Sequence, residues 1–560
     1  MLFSEGAVGE VREKIWVAVL GSLLLVLLRC LLFVGTRPWT KEYPPGPMAL
    51  PFIGNLHQFP KKDMHLAYQK WAKEYGPIFS LKLGQQTLIV LASGEMIQKV
   101  VDKRSANYSD RPATYIRDLY ENTHVIFRGY DDIWRLDRRL YHANLNMKAA
   151  QTYIPYQSVE TLQLCIDLLK SPQLFFGHIR RTTASVASSL SYGFRISTTD
   201  SPIMAQMFKN GEYLFDLTAR SKFLDWYPAL RPLFRLVPTG LRPLASEAAL
   251  HLKDEKEHFA KLYKNAVSSG MPSFSADIAA SQKAWEGTTN GELLDDQTAA
   301  FTAGVAFEAG ADTTKNTLIA FVQAMALFPE VVVKAHEELD RVVGDGSIPT
   351  VDDIKSLPYI RGIVKETLRW FPTTVSAALP HAATADDTID GYDIPAGASI
   401  LLAVWTVHND PTVFPDPRTF EPDRHNVDLT IGETVQSSDI SGRIWTFGAG
   451  RRICPGLHLA ENTVSLAIAR MLWAFDISRE KDENGNEIDI DTAAITQSVA
   501  VCPLPFKYVG PVKSEPPLTY ETHRCRILPR SAQRADVLRR DWAKTQDLLD
   551  DEGNYKKSPL

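Results

Sequence analysis

The sequence predicts a mainly α-helical domain with a small β region, carried behind a single N-terminal transmembrane helix. Three observations lead there. Residues 15–35 read IWVAVLGSLLLVLLRCLLFVG, an almost unbroken apolar run. From Pro51 onward the chain shows mostly helical patterning, with long segments that stop at prolines. Short β-type runs occur only at 78–83, 87–91, 389–394 and 399–403.

At about 1.5 Å per residue, a helix over 15–35 just spans a hydrocarbon core of roughly 30 Å. Arg29 falls near its end, where a long side chain can snorkel to the interface. A cleaved signal peptide would carry a shorter apolar region and a small-residue cleavage site, and no clear site of that kind follows. Arg12 and Lys14 on one flank balance Arg37 and Lys41 on the other, so charge does not orient the span. Behind it, within 36–50, Tyr43-Pro44-Pro45-Gly46-Pro47 cannot be helical and reads as a stiff hinge or a plain linker.

A single domain is expected over 51–542, although 560 residues alone would suggest several domains. Residues 270–296, rich in Ser, Thr and Gly, read as a loop. Helices are expected over about 298–327, ending before Pro329, over 360–370, ending before Pro372, and from just after Pro455 to 475. The polar stretch 543–560 reads as a disordered tail. Composition is ordinary for a globular protein, 45% hydrophobic and 23% charged, and a net charge of −5 gives no sign of a nucleic-acid partner. The five cysteines, Cys30, Cys165, Cys454, Cys502 and Cys525, are scattered and form no Cys-x-x-Cys pair. That pattern speaks against a disulfide framework or a zinc site.

One cysteine stands apart. In Phe447-Gly448-Ala449-Gly450-Arg451-Arg452-Ile453-Cys454-Pro455-Gly456, two glycines let the backbone turn tightly against a flat ligand. The helix that follows puts Cys454 at a helix N-terminus, where N–H groups and the dipole favour a thiolate. Elsewhere, Glu366 and Arg369 lie three apart on one helix, where they face each other. Val305, Ala306, Ala309, Gly310 and Thr313 share one helical face. That face suits either a flat ligand or close helix packing. Glu308 lies off it and reads either as a member of a proton relay or, more simply, as solvated.

The cysteine segment resembles the Phe-x-x-Gly-x-Arg-x-Cys-x-Gly signature of the cytochrome P450 family. The resemblance implies the family's fold, a haem b cofactor with Cys454 as its iron ligand, Arg452 on a haem propionate, and Phe447 packed beside the sulfur with Gly456 closing the loop. It implies that Ala309 and Gly310 lie over the haem, that Thr313 hydrogen-bonds in oxygen activation, and that Asp312 helps relay protons. It implies a structural triad of Glu366, Arg369 and Arg424; Asp423 stands where the family often has Glu. Trp134-x-x-x-Arg138 and His381 fall where the family reaches the propionates, and 405–411 matches a structural segment. Substrate-pocket segments would be about 114–127, 305–309 and 373–379, mostly apolar, which suits a hydrophobic small molecule.

The implied activity is insertion of one oxygen atom from dioxygen into that substrate. No Gly-x-Gly-x-x-Gly unit or flavin motif occurs, so the implied electron donor is a membrane-bound NADPH–cytochrome P450 reductase, docking near Arg135, Arg139 and Arg451. The implied location is the endoplasmic reticulum membrane, with the catalytic domain in the cytoplasm. The Phe-Glu-Ala-Gly-Ala-Asp helix and the 529–542 stretch most resemble microsomal ascomycete enzymes of secondary metabolism. Two other readings are a haem-thiolate isomerase or dehydratase that consumes no dioxygen, and a non-catalytic haem sensor. The Asp312–Thr313 pair speaks against both.

Overall fold

The computed structural model describes residues 21–22, 42–425, 427–504 and 525–559. All of the expected anchor except Gly21 and Ser22 therefore lies outside the described residues, as does Cys30. Among the described residues, no single helix is long and apolar enough to cross a membrane.

Helix α1 (Met64–Tyr75) leads into strands β1 (Ile78–Leu83) and β2 (Gln86–Leu91). The helical body follows: α2 (Asp132–Leu145), α3 (Ile154–Lys170), α4 (Phe175–Tyr192), α5 (Pro202–Trp226), α6 (Pro243–Ser269), α7 (Phe274–Ala284), α8 (Asp296–Leu327), α9 (Pro329–Val342) and α10 (Pro358–Trp370). Then come β3 (His381–Ala382), β4 (Asp387–Ile389), β5 (Tyr392–Ile394) and β6 (Ser399–Leu402), helix α11 (Leu457–Ala474), β7 (Phe475–Arg479), β8 (Cys525–Pro529) and α12 (Ala532–Thr545). The fold is mainly helical, with one four-stranded sheet in the order β1-β2-β6-β3 and two two-stranded sheets, β4-β5 and β7-β8. In that sheet β2 and β6 run parallel, and the other pairs are antiparallel.

Helix α8 organises the body. It is apolar nearly all round, as a helix buried on every side must be, and it packs against α4, α6, α10 and α11. Asp295 caps its start by accepting from the Thr298 amide at 2.7 Å, and it stops at Phe328 because Pro329 cannot continue it. Its first half lies in a core with α4, α5 and α6, and its second half in another with α3, α10 and α11. The three helices expected from the sequence are all present, each within two residues of the expected bounds.

The proline segment is packed, not free. Ser80 donates from Oγ to the Pro44 carbonyl at 2.6 Å and from its amide to the Pro45 carbonyl at 2.8 Å. A Cβ on Gly46 would stand 2.0 Å from the Ser80 carbonyl oxygen, so only glycine lets the segment lie along β1. All four cysteines among the described residues are free, and Cys165, Cys502 and Cys525 are buried.

Three expectations are corrected. Residues 270–296 are not a loop: Ser273 caps α7, which buries Phe274 and Ile278, and a further turn spans Thr289–Leu293. The strand expected at 389–394 is a hairpin, because Asp390 and Gly391 both take positive φ, 52° and 84°, and pair Ile389 with Tyr392. The polar tail is ordered, and α12 runs through its expected boundary. Leu549 and Tyr555 are buried, and the Tyr555 ring lies 5.0 Å from that of Tyr156 on α3. Arg195 donates to the Gly553 carbonyl at 2.6 Å while its Nε holds the buried Glu160 at 2.5 Å. Two apolar side chains and one buried arginine anchor a stretch whose composition is otherwise polar. Tyr555→Ala should therefore cost about 3 kcal/mol, in the range for emptying a buried aromatic site. The expected reading is a lower temperature of irreversible haem loss; an unchanged one would mean that the tail adds nothing.

Candidate active site

A cavity of about 1840 Å³ opens between α8 and the loop before α11. That exceeds the roughly 300–1,000 Å³ of an ordinary ligand pocket, so there is room for a large flat group together with a substrate. Its wall includes Trp134, Arg138, Ala309, Gly310, Asp312, Thr313, His381, Phe447, Arg452, Cys454 and Gly456, the expected cofactor and catalytic residues.

The Cys454 loop is held from several sides. Gly448 and Gly450 take φ of 76° and 61°, and a Cβ on Gly450 would stand 2.4 Å from the Val101 carbonyl oxygen. The Cys454 amide donates to the Phe447 carbonyl at 2.9 Å, closing the turn. Burial pushes the Cys454 thiol up, opposed by the Gly456 amide and by the charge of Arg138. Thr446 donates to the Leu368 carbonyl at 2.7 Å, which pins the loop to α10.

Across the cavity, Ala309 is exposed in the middle of a buried helix, and that exposure is to the cavity. A Cβ on Gly310 would meet only Ala187, at 3.6 Å, so helix packing does not require this glycine. Gly304 is the packing glycine, since a Cβ there would stand 2.5 Å from the Phe259 ring. Thr313 Oγ1 donates to the Ala309 carbonyl at 2.8 Å. Asp312 is ion-paired with Lys315 at 2.7 Å, and Lys315 is buried against the Phe208 ring at 4.9 Å. Glu308 is not solvated: its side chain is only 12% exposed, and burial followed by the charge of Asp312 pushes it up to about 8.

One end of the cavity gathers cations. Arg452 donates to the Ser109 and Arg128 carbonyls at 2.5 and 2.8 Å and lies 4.5 Å over the Trp134 ring. Arg111, which sequence reasoning missed, donates to the Leu379 and Pro380 carbonyls, and its Nε has no partner. Burial, then repulsion from Arg111, pushes Arg452 down to about 8, and burial pushes Arg111 down to about 10. His381 Nδ1 donates to the Tyr108 carbonyl at 2.8 Å; burial and then Arg111 push the ring down to about 3. Guanidinium groups whose hydrogen bonds go to carbonyls leave positive charge uncompensated, which fits a ligand with carboxylates at this end. Nothing in the sequence beyond an arginine before Pro112 marks Arg111.

Behind the cysteine loop, Glu366 is fully buried and forked by Arg369 through two bonds of 2.7 Å. Arg424 stands 3.3 Å away. A fourth member was missed: His425 Nε2 donates to Glu366 at 2.7 Å, and the Glu421 amide adds a bond of 3.0 Å. Burial alone would raise Glu366, but the Arg369 and His425 hydrogen bonds hold it below the usual range. Its signal was adjacency to Arg424. Arg369 also donates to the His408 carbonyl at 2.8 Å, and the His408 ring accepts from the Trp445 amide at 2.9 Å. The cluster is thus wired to the start of the cysteine loop.

The family profile described as Cytochrome P450 matches residues 44–507. The chain is 39% identical to cytochrome P450 monooxygenase virE of Hypocrea virens, over 98% of this chain and 96% of that protein. It is 36% identical to cytochrome P450 monooxygenase fogE of Aspergillus ruber, over 97% of each chain. It is also 39% identical to cytochrome P450 monooxygenase fsoB of Humicola fuscoatra, over 94% of each. The chain belongs to the cytochrome P450 family of haem-thiolate enzymes. It is a P450 monooxygenase whose cofactor is haem b.

Proposed function

We propose that this enzyme inserts one atom of dioxygen into a hydrophobic substrate of secondary metabolism, with electrons from NADPH through a separate membrane-bound reductase. The observation that carries this is one cavity whose wall holds Cys454, the small residues Ala309 and Gly310, and Thr313. In this reading Cys454 is the iron ligand, and bound haem supplies the oxygen-activating redox chemistry. Arg452, Arg138 and Trp134 hold the propionates, joined by Arg111 and by His381, whose Nε2 would take up a proton beside the propionate's negative charge. Phe447 and Gly456 shape the sulfur's surroundings, and Ala309 and Gly310 leave space above the ring. Thr313 holds a proton at Oγ1 and can turn it from the Ala309 carbonyl toward the cavity. Asp312 and Lys315 connect that point to the helix interior. Glu366, Arg369 and Arg424 hold the cysteine loop in place.

The chain lies on the endoplasmic reticulum membrane in this reading, anchored through 15–35 with its catalytic domain in the cytoplasm. A supporting feature is an exposed apolar surface: Met48, Leu236 and Leu241 are 83%, 81% and 73% exposed, with Leu50, Phe52, Phe234 and Val237 among their exposed neighbours in sequence. Tyr227 donates to the Phe52 carbonyl at 3.4 Å, which brings the two segments together. Such a patch suits an interface with lipid. The reductase would dock where Arg135 and Arg451, both exposed, flank the Tyr130 ring at 4.8 and 5.4 Å; Arg139 lies one turn beyond Arg135.

The test is reconstitution with the reductase, NADPH and isotopically heavy dioxygen. One labelled atom per product molecule is expected, and turnover without dioxygen would contradict the reading. Arg111→Leu should speed haem transfer to apomyoglobin about tenfold or more, as expected for loss of a charge-assisted hydrogen bond of about 1.5–3 kcal/mol. An unchanged rate would remove Arg111 from the propionate site.

A further inference from the structure

Three buried groups have no use in the account above. His124 lies on the loop after the short helix Tyr115–Leu119, Glu255 on α6 and Glu308 on α8. One nitrogen of His124 and one oxygen of each carboxyl all lie within 4.8 Å of one another, and His124 Nε2 stands 3.8 Å from Glu308 Oε2. His124 and Glu255 are 4% and 0% exposed. Both ring nitrogens of His124, both oxygens of Glu255 and Oε1 of Glu308 are buried without a hydrogen-bond partner. Leaving such groups buried and unsatisfied is costly, so a cluster of them calls for a polar occupant. His124 and Glu308 line the cavity, with apolar Val125, Ile126 and Phe127 in the same wall, while Glu255 is not part of its lining.

We propose that His124 and Glu308, backed by Glu255, form a polar subsite that hydrogen-bonds a hydroxyl group of the substrate. The substrate class is thereby an apolar molecule that carries a phenol or alcohol. This rests on the cavity being the substrate site, as proposed above. Burial is the main cause that pushes both carboxyls up to about 8, and the charge of Glu308 adds to it at Glu255. They are therefore neutral acids at neutral pH, each able to donate one hydrogen bond and accept others. A hydroxyl, which also does both, matches them; an ammonium ion or a metal would call for ionised acids. Glu255 stands behind the two, outside the cavity wall, with one carboxyl oxygen within 4.8 Å of a His124 nitrogen and a Glu308 oxygen.

The experiment uses the haem-loaded full-length enzyme and three probes: 4-heptylphenol, its methyl ether and heptylbenzene. Spectral titration gives each Kd. The phenol should bind about tenfold or more tightly than the ether, as expected when a site built for a hydroxyl meets an analogue that cannot donate. In Glu308→Ala and in His124→Phe that ratio should fall toward one, with the ether's Kd little changed. Should Glu308→Ala fail to load haem, Glu308→Leu, which nearly keeps the volume but can neither donate nor accept a hydrogen bond, takes its place with the same expectation. The proposal is overturned by a ratio near one in the wild type, by a ratio retained in both variants, or by no response to any probe. Stoichiometric zinc in the wild type that is absent from the Glu308 variant would also overturn it. Turnover by the wild type that needs neither NADPH nor dioxygen, with the phenol ratio intact, would refute the proposed reaction and leave the subsite standing.

Discussion

Glu366→Ala is expected to leave no haem-loaded enzyme. The carboxylate is fully buried and receives Arg369 twice at 2.7 Å, His425 at 2.7 Å and the Glu421 amide at 3.0 Å, with Arg424 at 3.3 Å. Its removal strands the guanidinium of Arg369 inside the protein. Breaking a buried pair from one side typically costs about 3–5 kcal/mol, a large share of the roughly 5–15 kcal/mol that holds a domain folded. The damage is also aimed at the haem site, because Arg369 ties down His408 and His408 accepts from the Trp445 amide, at the start of the turn that leads to Phe447. Haem content and the reduced carbon-monoxide spectrum of purified protein are the measurements. Glu366→Ala with a normal haem load would show that the cluster does not support the cysteine loop.

Thr313→Ala is expected to keep the thiolate spectrum and lose coupling. The hydroxyl lies in the cavity wall beside Gly310 and donates to the Ala309 carbonyl at 2.8 Å, while the Cys454 loop is held by other elements. Losing a positioned proton donor is worth about 10² to 10⁴ in rate. Product formed per NADPH consumed should fall, with hydrogen peroxide released in its place, and Thr313→Ser should restore much of the ratio. An unchanged ratio in Thr313→Ala would take the residue out of the mechanism.

The parts of this enzyme written as local chemistry were legible in its sequence. Prolines 329 and 372 mark helix ends because ring geometry acts within a few residues. The glycines around Cys454 had to meet a backbone constraint at Gly450 that any side chain would violate. What escaped depends on partners distant in the chain. Glu308 reads as solvated beside Asp312, and only the packing of α6 and of the loop carrying His124 removes its water. Arg111 looks like any loop arginine until the fold sets it beside Arg452 and His381. The tail reads as disordered because two apolar residues, Leu549 and Tyr555, carry its docking, and composition averages them away. The anchor proposed over 15–35 rests on length and hydropathy alone, and all of it but Gly21 and Ser22 lies outside the described residues.

The central claim is that Cys454 binds the haem iron as a thiolate. Its most direct measurement is the reduced carbon-monoxide difference spectrum of the full-length enzyme and of Cys454→Ser, made in parallel. The account predicts the red-shifted Soret band of a thiolate-ligated haem in the wild type and its loss, together with all product formation, in the variant. A variant that kept that band would place the iron ligand elsewhere and contradict the account.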